Sequence, residues 1–88
     1  MLNERHIIYE DAFAETVVWR LSSTLSERHH YFNYRLALVV NARFVLRYDN
    51  ESGKGDHRYI GDDETPYIFT TPKALIDDFW NDVNNWRQ

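Results

Sequence analysis

Cysteine is absent from the 88 residues, so neither a disulfide framework nor thiolate chemistry is available, and a small domain without staples suits a reducing cytoplasm. Long apolar runs are absent too. No stretch approaches the roughly 20 residues of a spanning helix, and Met1-Leu2-Asn3-Glu4-Arg5-His6 lacks the basic region and long apolar run of a secretory leader. A cytoplasmic protein without a membrane segment is expected. Basic residues are the minority, 10 against 14 acidic, for a net charge of -4, which argues against a generic basic nucleic-acid surface. Glycine is scarce, with three residues in all, at Gly53, Gly55 and Gly61.

What is abundant is aromatic area, 16% of residues, which lets a chain of this length bury enough surface to fold as a single domain over 1–88. The charge is unevenly spread. Residues 1–42 carry four basic and five acidic groups, 43–60 four and three plus His57, and 61–88 two and six. The central segment is the positive one, so an anionic ligand belongs there.

Arg5 to Tyr9 and Phe13 to Leu21 read as a first hairpin, with Phe13, Val17, Trp19 and Leu21 on one face at period two. Ser22 to His30 is hydroxyl-rich and reads as a loop, and adjacent His29 and His30 point opposite ways on extended backbone. Phe32, Tyr34, Leu36, Leu38 and Val40 alternate, as do Phe44, Leu46 and Tyr48, about a turn at Asn41-Ala42. A plain two-residue turn sets Leu38 opposite Val45, Leu36 opposite Arg47 and Tyr34 opposite Asp49, with Arg35 and Tyr48 on the other face. His57 to Ile60 and Tyr67 to Phe69 read as two short extended pieces. Thr71-Pro72 is an N-cap followed by proline at the first helical position. Leu75, Ile76, Phe79, Trp80, Val83 and Trp86 then recur at helical spacing over 72–86, with Asp77, Asp78 and Asp82 on the polar side, and Trp80 and Trp86 read as packing residues. The fold class is therefore α+β: an antiparallel β-sheet of successive hairpins with one C-terminal α-helix packed on a face.

Candidate chemistry lies between Arg47 and Asp63. Gly53, Lys54 and Gly55 suit an anion-binding nest, with Arg58 as a further cation. A flexible connection between strands is the plainer alternative, since the full phosphate-loop motif is missing. His57, Arg47, Tyr48 and Asp56 supply the side-chain types of metal-free phosphodiester cleavage: a proton carrier, a cation for the phosphoryl oxygens, a hydrogen donor and an orienting carboxylate. Strand alternation keeps neighbours off a common face, so His57 with Tyr59, or Arg47 with Asp49, are the sets able to act together. Surface ion pairing is the plainer alternative here. Asp49, Glu51, Asp56, Asp62, Asp63 and Glu64 lack calcium-loop spacing, and the interspersed arginines oppose cation capture, so neither a metal site nor a cofactor is expected.

Tyr34-Arg35-Leu36, Val45 to Glu51, Gly53 to Arg58, Gly61-Asp62, Pro66-Tyr67, Phe69 to Pro72 and Leu75 to Val83 together resemble the TumE family of small bacterial proteins, classed as toxin components of toxin–antitoxin modules. Phe13-Ala14-Glu15 and Trp19-Arg20 fit its early strand. The resemblance implies a toxin-like protein with an antitoxin-like protein partner. It assigns no role to an individual residue, and the acidic balance departs from the usual basic character of ribonuclease toxins. Two functions follow as expectations: action on RNA or another phosphate-bearing target through Arg47 to Arg58, or a non-catalytic protein–protein interaction module using the same loop and an exposed sheet edge.

Overall fold

Alternation builds the sheet and a change of period ends it. The computed structural model describes residues 2–20, 32–50 and 55–86. Its strands are β1 (Leu2–Tyr9), β2 (Ala12–Arg20), β3 (Phe32–Val40), β4 (Arg43–Asp49), β5 (His57–Ile60) and β6 (Asp63–Pro66), followed by helix α1 (Pro72–Trp86). The six strands form one antiparallel meander in chain order. Helix α1 lies over β3 and β4. It begins where the sequence places it: the Ala74 amide donates to Thr71 Oγ1 at 3.1 Å, and Pro72 fills the first turn, where its missing N–H leaves no bond unmade.

Leu75, Phe79 and Val83 form the buried helix stripe, each at 0% exposure. They meet Ala14 and Val18 of β2, Tyr34, Leu36 and Leu38 of β3, and Leu46 and Tyr48 of β4. This corrects the face expected for β2. Ala12, Ala14, Thr16 and Val18 are its buried residues, while Phe13, Val17 and Trp19 are only partly covered on the other side. Small side chains let the helix layer come close, and that outweighs the greater area of the larger set. Leu21 and the loop expected over Ser22 to His30 lie outside the described residues.

A second correction concerns register. Asn41 and Ala42 form the two-residue turn with φ of 51° and 64°. A bulge then follows, because Val39 pairs with Phe44 while Leu38 pairs with Leu46, leaving Val45 as the extra residue. Downstream of it, Leu36 faces Tyr48, Ala37 faces Arg47 and Arg35 faces Asp49. Tyr48 thereby turns into the core and Arg47 turns out of it. The third correction is at the far edge: β5 pairs with Asp63–Pro66 about a turn at Gly61 and Asp62, and Tyr67 to Phe69 is not a strand. Pro66 is tolerated there because an edge strand has one unpaired side, and the segment is polar because all four of its residues are exposed. Tyr67 and Phe69 pack against the core instead, leaving Ile68 at 84% exposure.

Six strands span about 24 Å and a helix with its side chains about 10–12 Å. One helix thus covers the middle of one face, and no described element covers the other.

Candidate functional site

The pleat sorts the central segment onto two faces. On the helix face, β4 and β5 contribute Tyr48 and its partner Arg58. The Tyr48 phenol donates to Asp82 Oδ2 at 2.5 Å and lies 3.4 Å from the Asp78 carbonyl. Arg58 reaches the same Asp82 carboxylate at 3.5 Å, and Tyr67 donates to Asp78 at 2.6 Å. Nearby, Tyr34 donates to Asp56 at 2.7 Å. Burial first, and the carboxylate acceptor second, push the phenols of Tyr34, Tyr48 and Tyr67 well above the ordinary tyrosine range. The hydrogen bond to Tyr48 raises the Arg58 guanidinium. These groups tie the helix and the Tyr67 segment to the sheet. Held as neutral phenols, the tyrosines are poor proton acceptors at neutral pH.

The open face carries the other set. Arg47 and Tyr59 are cross-strand partners, as are Asp49 and His57, then Tyr59 and Glu64. Arg47 Nε lies 3.3 Å from Asp49, and its guanidinium carbon stands 4.3 Å from the Tyr59 ring centroid. His57 Nδ1 is 2.8 Å from Glu64 Oε2, and the Tyr59 hydroxyl donates to the same oxygen at 3.1 Å. One carboxylate therefore touches both a histidine and a phenol, beside an arginine resting on that phenol's ring. His57 is about a quarter exposed and Glu64 about half (25% and 47%), so the group is open to a ligand without being fully solvated.

Among the expected site residues, then, the fold brings His57 and Arg47 together and places Tyr48, Arg58 and Asp56 toward the helix side. Gly55 has φ of 84° with open space about its Cα. Gly53 and Lys54 lie outside the described residues. Glu64 and Tyr59 complete the open-face group. Alternation had already set Tyr59 beside His57; the signal for Glu64 lay in the β5–β6 pairing and was hidden because the second strand was placed four residues too late. Asn50 also escaped notice. It is 2% exposed, accepts from the Tyr34 amide at 3.0 Å and donates to the Phe32 carbonyl at 2.8 Å, so it closes the β3–β4 ladder. Among the described residues, no three His, Asp or Glu side chains converge as metal ligands do, and no helix is long and apolar enough to cross a membrane.

A family model described as toxin TumE matches residues 2–87. The chain belongs to the TumE toxin family. No curated protein and no solved structure matches it. Membership carries a toxin-like role and, with it, an antitoxin partner in general terms. For a TumE protein the two faces ask different things: the helix face holds the molecule together, and the open face presents polar and aromatic groups outward.

Proposed function

We propose that this TumE family member arrests growth by acting on RNA, or on another phosphate-bearing target, through the open sheet face, and that a protein partner neutralises it. The observation that carries the reading is the convergence of His57, Glu64, Tyr59 and Arg47 on one face that no described element covers. With Nδ1 only 2.8 Å from Glu64, the His57 Nε2 is the atom that takes the proton of a ribose 2′-hydroxyl as its oxygen attacks phosphorus. Arg47 stabilises the charge that develops on the phosphoryl oxygens. The Tyr59 phenol protonates the departing 5′-oxygen. A 2′,3′-cyclic phosphate and a free 5′-hydroxyl result; Glu64 stabilises the imidazolium while it lasts, and solvent then takes the Nε2 proton and returns one to Tyr59. Arg58, paired with Asp82 on the helix face, serves stability rather than the anion, and Asp56 orients the start of β5 through Tyr34. Tyr48, buried against Asp82, supports the site by holding β4 in place.

Tightly induced expression in a bacterial host tests the reading, with wild type beside His57→Ala and Arg47→Ala, scoring growth and total RNA over the first minutes. Arrest with RNA loss that both substitutions abolish is the expected result. Soluble, folded wild type that leaves growth and RNA intact would sink it. That outcome leaves a second reading, a non-catalytic protein-binding module, which is favoured by Ile7 and Phe44 on the same face at 73% and 59% exposure.

A further inference from the structure

A depression of about 550 Å³ opens beside the β3–β4 turn at the end of β4 and β5, and Arg43, Phe44, Arg47, Tyr59 and Asp62 line it. Its volume falls within the roughly 300–1,000 Å³ of small-ligand sites. Phe44, Arg47 and Tyr59 put one side of it on the His57 face, because Phe44 pairs with Val39 in the row beyond Arg47 and Tyr59, and His57 lies in the row on the other side; Arg43, opposite Val40, starts from the helix face at the end of β4. Rows on one face are spaced about 6.6 Å apart along a strand. The depression and His57 therefore sit on one track running down β4 and β5.

The chemistry of the lining points to a nucleotide. Phe44 is an aromatic ring left 59% exposed; its position just before the bulge, opposite Val39, turns it away from the core that Leu46 and Tyr48 enter. Arg47 already rests over Tyr59 and stands 5.8 Å from the Phe44 ring centroid, so a planar cation lies between two aromatic rings. The lining sets two guanidinium groups, Arg43 and Arg47, against Asp62, with Asp49 3.3 Å from Arg47 just outside it. Rings take bases by stacking, and guanidinium groups take phosphate oxygens two at a time. A base already stacked and paired inside a duplex is not available to such a ring, whereas a single strand can splay its bases.

We infer that this depression is a subsite for one nucleotide of single-stranded RNA: a base stacks on Phe44, its phosphate is held by Arg47, with Arg43 reaching round the end of β4 from the helix face, and the strand runs on toward His57. The inference rests on the reading of the His57 face as acting on RNA, and it names the substrate as single-stranded. Both aromatic and cationic parts are needed, because the arginines alone would take any anion.

The test measures fluorescence anisotropy of a labelled hexanucleotide carrying 2′-O-methyl groups, which lacks the attacking hydroxyl and so reports binding apart from cleavage. The protein is the full chain, wild type beside Phe44→Ala and Arg43→Ala, both at exposed positions, with thermal unfolding as the check on folding. Phe44→Ala should weaken binding by about tenfold, the size of one lost base stack. Arg43→Ala should also reduce the slope of log affinity against log salt by about 0.7, one phosphate contact on a single strand. The same oligonucleotide annealed to its complement should bind at least tenfold more weakly than the single strand. Equal affinity for wild type and folded Phe44→Ala, equal affinity for single strand and duplex, or no binding by folded wild type, would overturn the subsite. The last of these leaves the exposed Ile7 and Phe44 to a protein partner. Binding that depends on Phe44 while cellular RNA stays intact keeps the subsite and removes the nuclease reading. RNA loss undiminished by Phe44→Ala does the reverse.

Discussion

His57 and Arg58 are neighbours in sequence and serve opposite sides of the sheet, so substitutions at the two should separate activity from stability. His57 touches only partly exposed groups, and His57→Ala should abolish growth arrest while moving the unfolding midpoint by little, within the roughly ±0.5 kcal/mol usual for surface changes. Tyr48 is 0% exposed and its hydroxyl serves Asp82. Tyr48→Phe should cost about 1–2 kcal/mol, because the phenol is lost while a part-buried carboxylate keeps only Arg58, and for a domain of this size that lowers the midpoint by about 4–8 °C per kcal/mol. Thermal unfolding followed by circular dichroism, beside the expression assay, checks both substitutions. A destabilised His57→Ala with unchanged activity, or a fully stable Tyr48→Phe, would reverse the assignment of faces. The sequence made the residue types legible and left their partition illegible: Arg47 and Tyr48 exchange faces if one residue is inserted upstream, and nothing in the alternation of Phe44, Leu46 and Tyr48 reveals that Val45 is that residue.

The elements differ in how plainly the chain announces them. Helix α1 was legible in full, because Thr71-Pro72 marks its start and the spacing of Leu75, Phe79 and Val83 marks its face, and both signals are local. The β3–β4 hairpin was legible as a hairpin but not in register, since a bulge is fixed by what each strand packs against. The β5–β6 hairpin was misplaced because its second strand, Asp-Glu-Thr-Pro, has no apolar alternation to detect. The β3–β4 turn itself carries a testable strain. Ala42 sits at φ of 64°, a conformation that costs a residue with a Cβ about 1–2 kcal/mol. Ala42→Gly removes that strain at an entropic cost of roughly 0.5–1 kcal/mol. The net gain of about 0.5 kcal/mol should raise the unfolding midpoint by a few degrees, with growth arrest unchanged. A lower midpoint would mean that the turn relaxes in solution to a conformation alanine accepts. In the helix layer, Phe79→Ala should cost about 3–5 kcal/mol. That is a large share of the 5–15 kcal/mol that stabilises a typical domain, and loss of soluble protein on expression is the expected outcome.

At the scale of the whole molecule, three phenols tie together parts of the chain that lie far apart in sequence. Tyr34 links β3 to the start of β5 through Asp56, Tyr48 links β4 to α1, and Tyr67 links the segment before α1 to the helix. Each has its pKa raised by burial and by its carboxylate acceptor, and the sign of the resulting pH dependence follows. A group whose folded-state pKa lies above its unfolded value of about 10 contributes its full stabilisation below pH 10 and loses it as the pH climbs toward the folded value. Over that interval each such group removes about 1.4 kcal/mol per pH unit. Tyr34 and Tyr48, both at 0% exposure, together remove about 3 kcal/mol per unit. Stability should therefore be flat with respect to these groups through neutral pH and fall steeply above about pH 10. Their ionisation should coincide with unfolding, since a phenolate beside Asp56, Asp82 or Asp78 sets two negative charges within hydrogen-bond distance in a part-buried space. Absorbance near 295 nm, recorded with far-ultraviolet circular dichroism during an alkaline titration, should show a late phenolate step that tracks loss of the sheet signal. Reversible ionisation of all six tyrosines near pH 10 with the sheet signal intact would show that the phenols are solvated and that the helix is held to the sheet by its apolar stripe alone.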